Sequence, residues 1–220
     1  MIFEQIVNNF NKILENLPQN VELVAVSKNN SVDKILQVYN CGQRIFGENK
    51  VQELTEKHDQ LPKDINWHLI GHLQTNKVKY IAPFVDTIQS VDSKKLLLEI
   101  DKEAKKNNRT IKISLQVKIA KEESKFGLEI EEARDIFNEY LIGKFPNITI
   151  IGLMGMATFT EDESQIRNEF GILKKLFDEL SVLHKLTTLS MGMSDDYPIA
   201  IDCGANSVRI GSAIFGARIY

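Results

Sequence analysis

Val21-Glu22-Leu23-Val24-Ala25-Val26-Ser27-Lys28 is a short, mostly apolar run that ends on a lysine. A helical stretch from Val32 to Tyr39 follows, and Cys41-Gly42 ends it. The same unit repeats along the chain. Strands are expected at Leu23–Ser27, Arg44–Gly47, Trp67–Ile70, Thr87–Ser90, Ile111–Val117, Ile148–Met154, Thr188–Met191 and Ser207–Ile210. Helices are expected at Lys50–Asp59, Asn76–Ala82, Ser93–Asn107, Ile130–Tyr140, Ser164–Leu183 and Asp196–Cys203. Ahead of the first strand, Ile6, Phe10, Ile13, Leu14 and Leu17 fall at helical spacing, and Pro18 stops that helix. Strict alternation of strand and helix implies parallel strands joined by crossover helices. Strands without polar alternation suit a sheet covered on both faces. Eight units fit a (β/α)8 barrel or an open doubly wound sheet, and the pattern alone does not separate the two. The first strand is not followed by a GxGxxG turn, which disfavours a dinucleotide fold.

Bulk properties narrow the function classes. The net charge of −3 gives no basic surplus for nucleic acid or an anionic membrane. No apolar run approaches the roughly 20 residues of a membrane span, and the N-terminus lacks the features of a signal peptide. Cys41 and Cys203 belong to no metal-binding cluster and suit a reducing compartment. No linker divides residues 1–220, so one cytoplasmic domain is expected.

In a barrel, chemistry gathers where the strands end. Lys28 ends the first strand, where partial desolvation favours the neutral, nucleophilic amine. Its plain alternative is a solvated loop lysine. Ser207-Val208-Arg209-Ile210-Gly211-Ser212 closes the last unit; Gly211 lets backbone approach a ligand and Ser212 adds a hydroxyl, which suits phosphate. Arg209 points either into the mouth or toward an outer helix. Ser190-Met191-Gly192-Met193-Ser194-Asp195-Asp196 reads as a polar anion loop, as a helix cap on Ser194 or Asp195, or as both, with the methionines as apolar wall. Asn49 either meets a ligand or caps the next helix. His68 and His72 have metal-ligand spacing only on a helix, and a strand is expected there, so no metal site is assigned.

Seven segments together resemble the pyridoxal phosphate homeostasis protein family, relatives of the alanine racemase N-terminal barrel. They are Ala25–Lys28, Phe46-Gly47-Glu48-Asn49-Lys50-Val51-Gln52-Glu53, Trp67–Lys77, Lys125-Phe126-Gly127, Gly152–Met156, Leu189–Asp196 and Val208–Gly216. The resemblance implies a single (β/α)8 TIM barrel with an extra N-terminal helix that binds pyridoxal 5'-phosphate (PLP). By that resemblance Lys28 is the Schiff-base lysine and Arg209 faces the pyridine nitrogen. Ser190, Ser194, Gly211 and Ser212 match phosphate-binding positions. Asn49 and Met154 match residues near the ring, with Met191 beside them in the anion loop. Two departures stand out: Ser212 where many relatives carry threonine, and Asn30 where many carry a second lysine.

An arginine cannot accept a proton from the pyridine nitrogen, so the ring is a weaker electron sink than one paired with a carboxylate. Racemases of this barrel type add a second domain, for which no chain is expected after the eighth strand. The expectation is therefore a monomeric carrier or regulator of PLP, without an assigned catalytic residue, that contacts PLP-dependent apo-enzymes transiently. The alternatives are a weak amino-acid racemase and a barrel without cofactor.

Overall fold

The computed structural model describes residues 2–121 and 126–216. Eight parallel strands close into a barrel in chain order: β1 (Glu22–Val26), β2 (Ile45–Glu48), β3 (Asn66–Leu69), β4 (Thr87–Val91), β5 (Ile111–Gln116), β6 (Ile148–Met154), β7 (Thr188–Ser190) and β8 (Ser207–Ile210). The first and last strands pair, with Leu23 opposite Val208 and Val24 opposite Arg209. That pairing excludes the open sheet. Between and around the strands lie α1 (Ile2–Asn16), α2 (Val32–Asn40), α3 (Val51–Gln60), α4 (Val78–Ile81), α5 (Lys94–Lys106), α6 (Ile130–Leu141), α7 (Glu163–Leu183), α8 (Tyr197–Asp202) and α9 (Ser212–Phe215).

The apolar core fills the space between strands and helices. Leu23, Ala25, Phe46, Trp67, Phe137 and Phe170 are buried in it, and the Phe46 and Trp67 rings sit 6.1 Å apart. Side chains alternate across a strand. Leu23 and Ala25 of β1 belong to this outer core, while Val26 and Lys28 line the barrel mouth. The extra helix α1 buries Ile6, Phe10 and Ile13. Its Asn9 side chain donates to the Ile214 carbonyl of α9 at 3.2 Å.

Two expectations change. The helix expected over Asn76–Ala82 is a 3-10 turn, Thr75–Lys77, followed by the single-turn α4. Pro83 follows Ala82 and disfavours continuation. The cap expected at Ser194 or Asp195 lies at Asp196, because α8 starts only at Tyr197, with Pro198 in its first turn.

Candidate functional site

Lys28 sits in a turn held from both sides. The Asn30 N–H donates to the Ser27 carbonyl at 3.0 Å, and Asn29 takes a positive φ of 61°. Behind the turn, Lys57 of α3 donates to the Ser27 carbonyl, to Glu48 and to Glu53, each at 2.7 Å. Glu53 also accepts from the Asn29 N–H at 2.6 Å, and Glu48 from the Ser27 hydroxyl at 2.6 Å. The residues on either side of Lys28 are thus tied to one buried ion cluster. Burial pushes the Glu48 carboxyl up to about 7, against the lowering effect of Lys57.

Arg209 turns inward from β8 and is buried. It donates to the Ser190 hydroxyl at 2.7 Å and to the Gly155 carbonyl at 3.0 Å. Among the described residues no carboxylate forms an ion pair with it. Burial pushes its pKa down to about 10, which leaves it charged at neutral pH. Its direct hydrogen-bond partners are neutral, with Asp196 acting on it only through space, so the site favours an acceptor or anion beside the guanidinium.

The anion-loop serine, Ser194, does not cap α8. Its hydroxyl oxygen accepts from the Gly211 and Ala213 N–H groups at 3.3 and 3.4 Å. Gly192 lets the same loop pack closely on α8: its φ is +96°, and a Cβ there would lie 2.6 Å from that of Ala200. At Gly211 a Cβ would come within 3.2 Å of Val26.

These groups surround one cavity of about 610 Å³ at the C-terminal end of the barrel, lined by Lys28, Asn49, Ser194, Arg209, Gly211 and Ser212. The remaining expected residues lie elsewhere. Ser190 and Met154 are fully buried, and Met191 belongs to the outer core. None of the three is on the cavity lining. Ser190 reaches the site through Arg209, because its hydroxyl is already engaged there. Lys125 lies outside the described residues, while Phe126 stacks on His72 at 4.2 Å. Among the residues the structure adds to the lining are Val26, Asn30, Met156, Phe159, Met193 and Asp195. Val26, Met156, Met193 and Asp195 lie within the resembling segments and Asn30 is one of the two departures from the family pattern, whereas Phe159 gives no signal in the sequence. His68 lies in the barrel interior, and no group of metal-ligating residues forms among the described residues.

An amine, a buried guanidinium and convergent backbone donors on one lining suit a ligand with an aldehyde, a hydrogen-bond acceptor and an anionic group. Residues 3–219 match the family described as alanine racemase, N-terminal domain. A protein named pyridoxal phosphate homeostasis protein from Aquifex aeolicus is 42% identical over 202 residues, 90% of this chain and 88% of that one.

The chain belongs to the pyridoxal phosphate homeostasis protein family.

The Helicobacter pylori family member of the same name is 43% identical over 89% of this chain and 87% of its own. Among solved structures, PipY of Synechococcus elongatus PCC7942 with PLP bound superposes with a TM-score of 0.88 at 35% identity, covering 96% of this chain and all of PipY. Alanine racemase from E. faecalis shares the fold with a TM-score of 0.80 at 17% identity, and this family member spans 58% of it.

Proposed function

We propose that this protein binds PLP at the barrel mouth and acts in PLP homeostasis, buffering the cofactor and delivering it to apo-enzymes. The observation that carries the reading is the convergence of Lys28, Arg209 and the Ser194–Gly211 donors on one cavity. Lys28 supplies the amine that condenses with the cofactor aldehyde, forming a C=N bond and releasing water. Arg209 donates toward the pyridine nitrogen and cannot accept its proton. Ser194, Gly211 and Ser212 hold the phosphate, and Asn49 borders the ring. Ser190 supports the site from beneath through Arg209, with Met154 and Met191 buried off the cavity lining.

The reading includes a single monomeric domain without sustained catalytic turnover. Two cysteines outside any disulfide suit a cytoplasmic setting. No helix among the described residues is long and apolar enough to cross a membrane. The decisive test is transfer of PLP from holo-protein to an apo-enzyme in the presence of a trap for free PLP. Reactivation that outruns the trap is expected, and reactivation abolished by the trap would contradict delivery. Incubation with L-alanine tests the competing activity. Sustained change in optical rotation, lost in Lys28→Ala, would replace the carrier reading with a racemase.

A further inference from the structure

A chain of polar side chains crosses the barrel interior beneath Arg209. Arg209 donates to Ser190 Oγ at 2.7 Å, and the Ser190 hydroxyl donates to Gln89 Oε1 at 2.7 Å. Gln89 Nε2 lies 2.9 Å from His68 Nδ1. His68 Nε2 faces Asp86 Oδ2 at 3.6 Å. These residues come from β8, β7, β4 and β3, with Asp86 just ahead of β4. Ser190, Gln89, His68 and Arg209 are all buried, while Asp86 is partly open to solvent.

The direction of every bond follows from one end. A guanidinium has donors and no acceptor, so Ser190 Oγ must accept from it. The one serine proton then goes to Gln89, which fixes the amide with its oxygen toward Ser190. The amide NH2 must therefore face His68 Nδ1, which has to be bare. The imidazole proton is left on Nε2, toward Asp86. Asp86 lies well below the usual carboxylate range, held there by the adjacent His68, the Thr87 hydroxyl and Lys112. A negative charge at the acceptor end polarises the chain and improves Ser190 as an acceptor.

We propose that Gln89 and His68 are positioning residues for Arg209: a one-way hydrogen-bond chain from His68 through Gln89 and Ser190, with Asp86 facing its outer end, fixes the guanidinium at the floor of the cofactor site. Gln89 and His68 touch no ligand and act through Ser190. The part of this inference that concerns the cofactor rests on the PLP-binding reading.

Two measurements test it. The first is long-range ¹H–¹⁵N NMR of the full chain, histidine-labelled and free of PLP. His68 is expected to show a bare Nδ1 and a proton on Nε2. Gln89→Glu presents an oxygen to Nδ1 and is expected to place a proton on that nitrogen. A proton on Nδ1 in wild-type protein, or an unchanged His68 in Gln89→Glu, would overturn the chain. The second is PLP titration followed by visible absorbance. Gln89→Leu, with circular dichroism confirming its fold, is expected to bind about tenfold more weakly and to shift the absorbance band. Wild-type affinity and band in that variant would overturn the positioning role. Should wild-type protein take up no PLP, the carrier reading fails, and the His68 tautomer still decides the chain.

Discussion

Lys57 Nζ donates to the Ser27 carbonyl at 2.7 Å, the same oxygen that accepts the Asn30 N–H to close the turn around Lys28. A buried ammonium on α3 therefore anchors the turn in which Lys28 follows β1. The ammonium is itself held by Glu48 and Glu53, and Glu53 grips the far side of the turn at Asn29. The scaffold behind Lys28 is ionic, while the wall before it is largely the Val26, Met156 and Met193 side chains.

Lys57→Met removes the cation and leaves Glu48 buried beside Ser27. Breaking a buried pair by deleting one partner costs roughly 3–5 kcal/mol. Glu48 already titrates near neutrality and can take up a proton, so the lower end, about 3 kcal/mol, is expected in urea unfolding at pH 7. Binding of PLP is expected to weaken as well, because the turn loses its anchor. The double variant Glu48→Gln/Lys57→Met is expected to recover part of the stability.

Glu48 also predicts a pH dependence. Its folded-state pKa of about 7 lies above its ordinary value of 4.5. The folded state then binds more protons than the unfolded state between those values. The contribution is fully present below about 4.5 and is lost as pH rises through 7, by up to about 3 kcal/mol. Glu48→Gln is expected to flatten the stability profile over this window, read by denaturation at stepped pH. Asp86 has the opposite sign, since its pKa is depressed from 3.8. Its stabilisation is lost only as pH falls below that value, outside the window.

The eight strands were legible in the sequence because strands covered on both faces read as short apolar runs. Their limits agree with the structure to within about a residue at most ends. Closure was not legible from pattern, since the pairing of Leu23 with Val208 joins residues at opposite ends of the chain. The family resemblance supplied it. Lys28, Arg209 and Gly211 were found because they follow or end strands. Lys57 escaped notice because a lysine on an amphipathic helix reads as solvated, and only its packing on β1 and β2 buries it. Gln89 lies within an expected strand and Ser190 within the expected anion loop, and their meeting requires a closed barrel across 101 positions of sequence. For Ser194 the sequence leaves anion loop and helix cap open together, because its bond to Gly211 spans two separate loops.

Ser194→Ala removes the hydroxyl on which the Gly211 and Ala213 N–H groups converge. Those bonds are long, so stability is expected to fall by less than about 1 kcal/mol. The loss is expected to concentrate on the anionic group. Wild-type protein is expected to prefer PLP strongly over unphosphorylated pyridoxal. The variant is expected to lose about tenfold of that preference, measured by parallel equilibrium titrations of the two compounds.

The most direct measurement is borohydride reduction of the protein mixed with PLP, followed by peptide mass spectrometry. Reduction converts the C=N bond into a stable secondary amine, so the modified residue can be read from fragment masses. Stoichiometric pyridoxyl modification confined to Lys28, and absent from Lys28→Ala, is the predicted result. Modification spread over exposed lysines, or equal labelling of Lys28→Ala, would contradict the account.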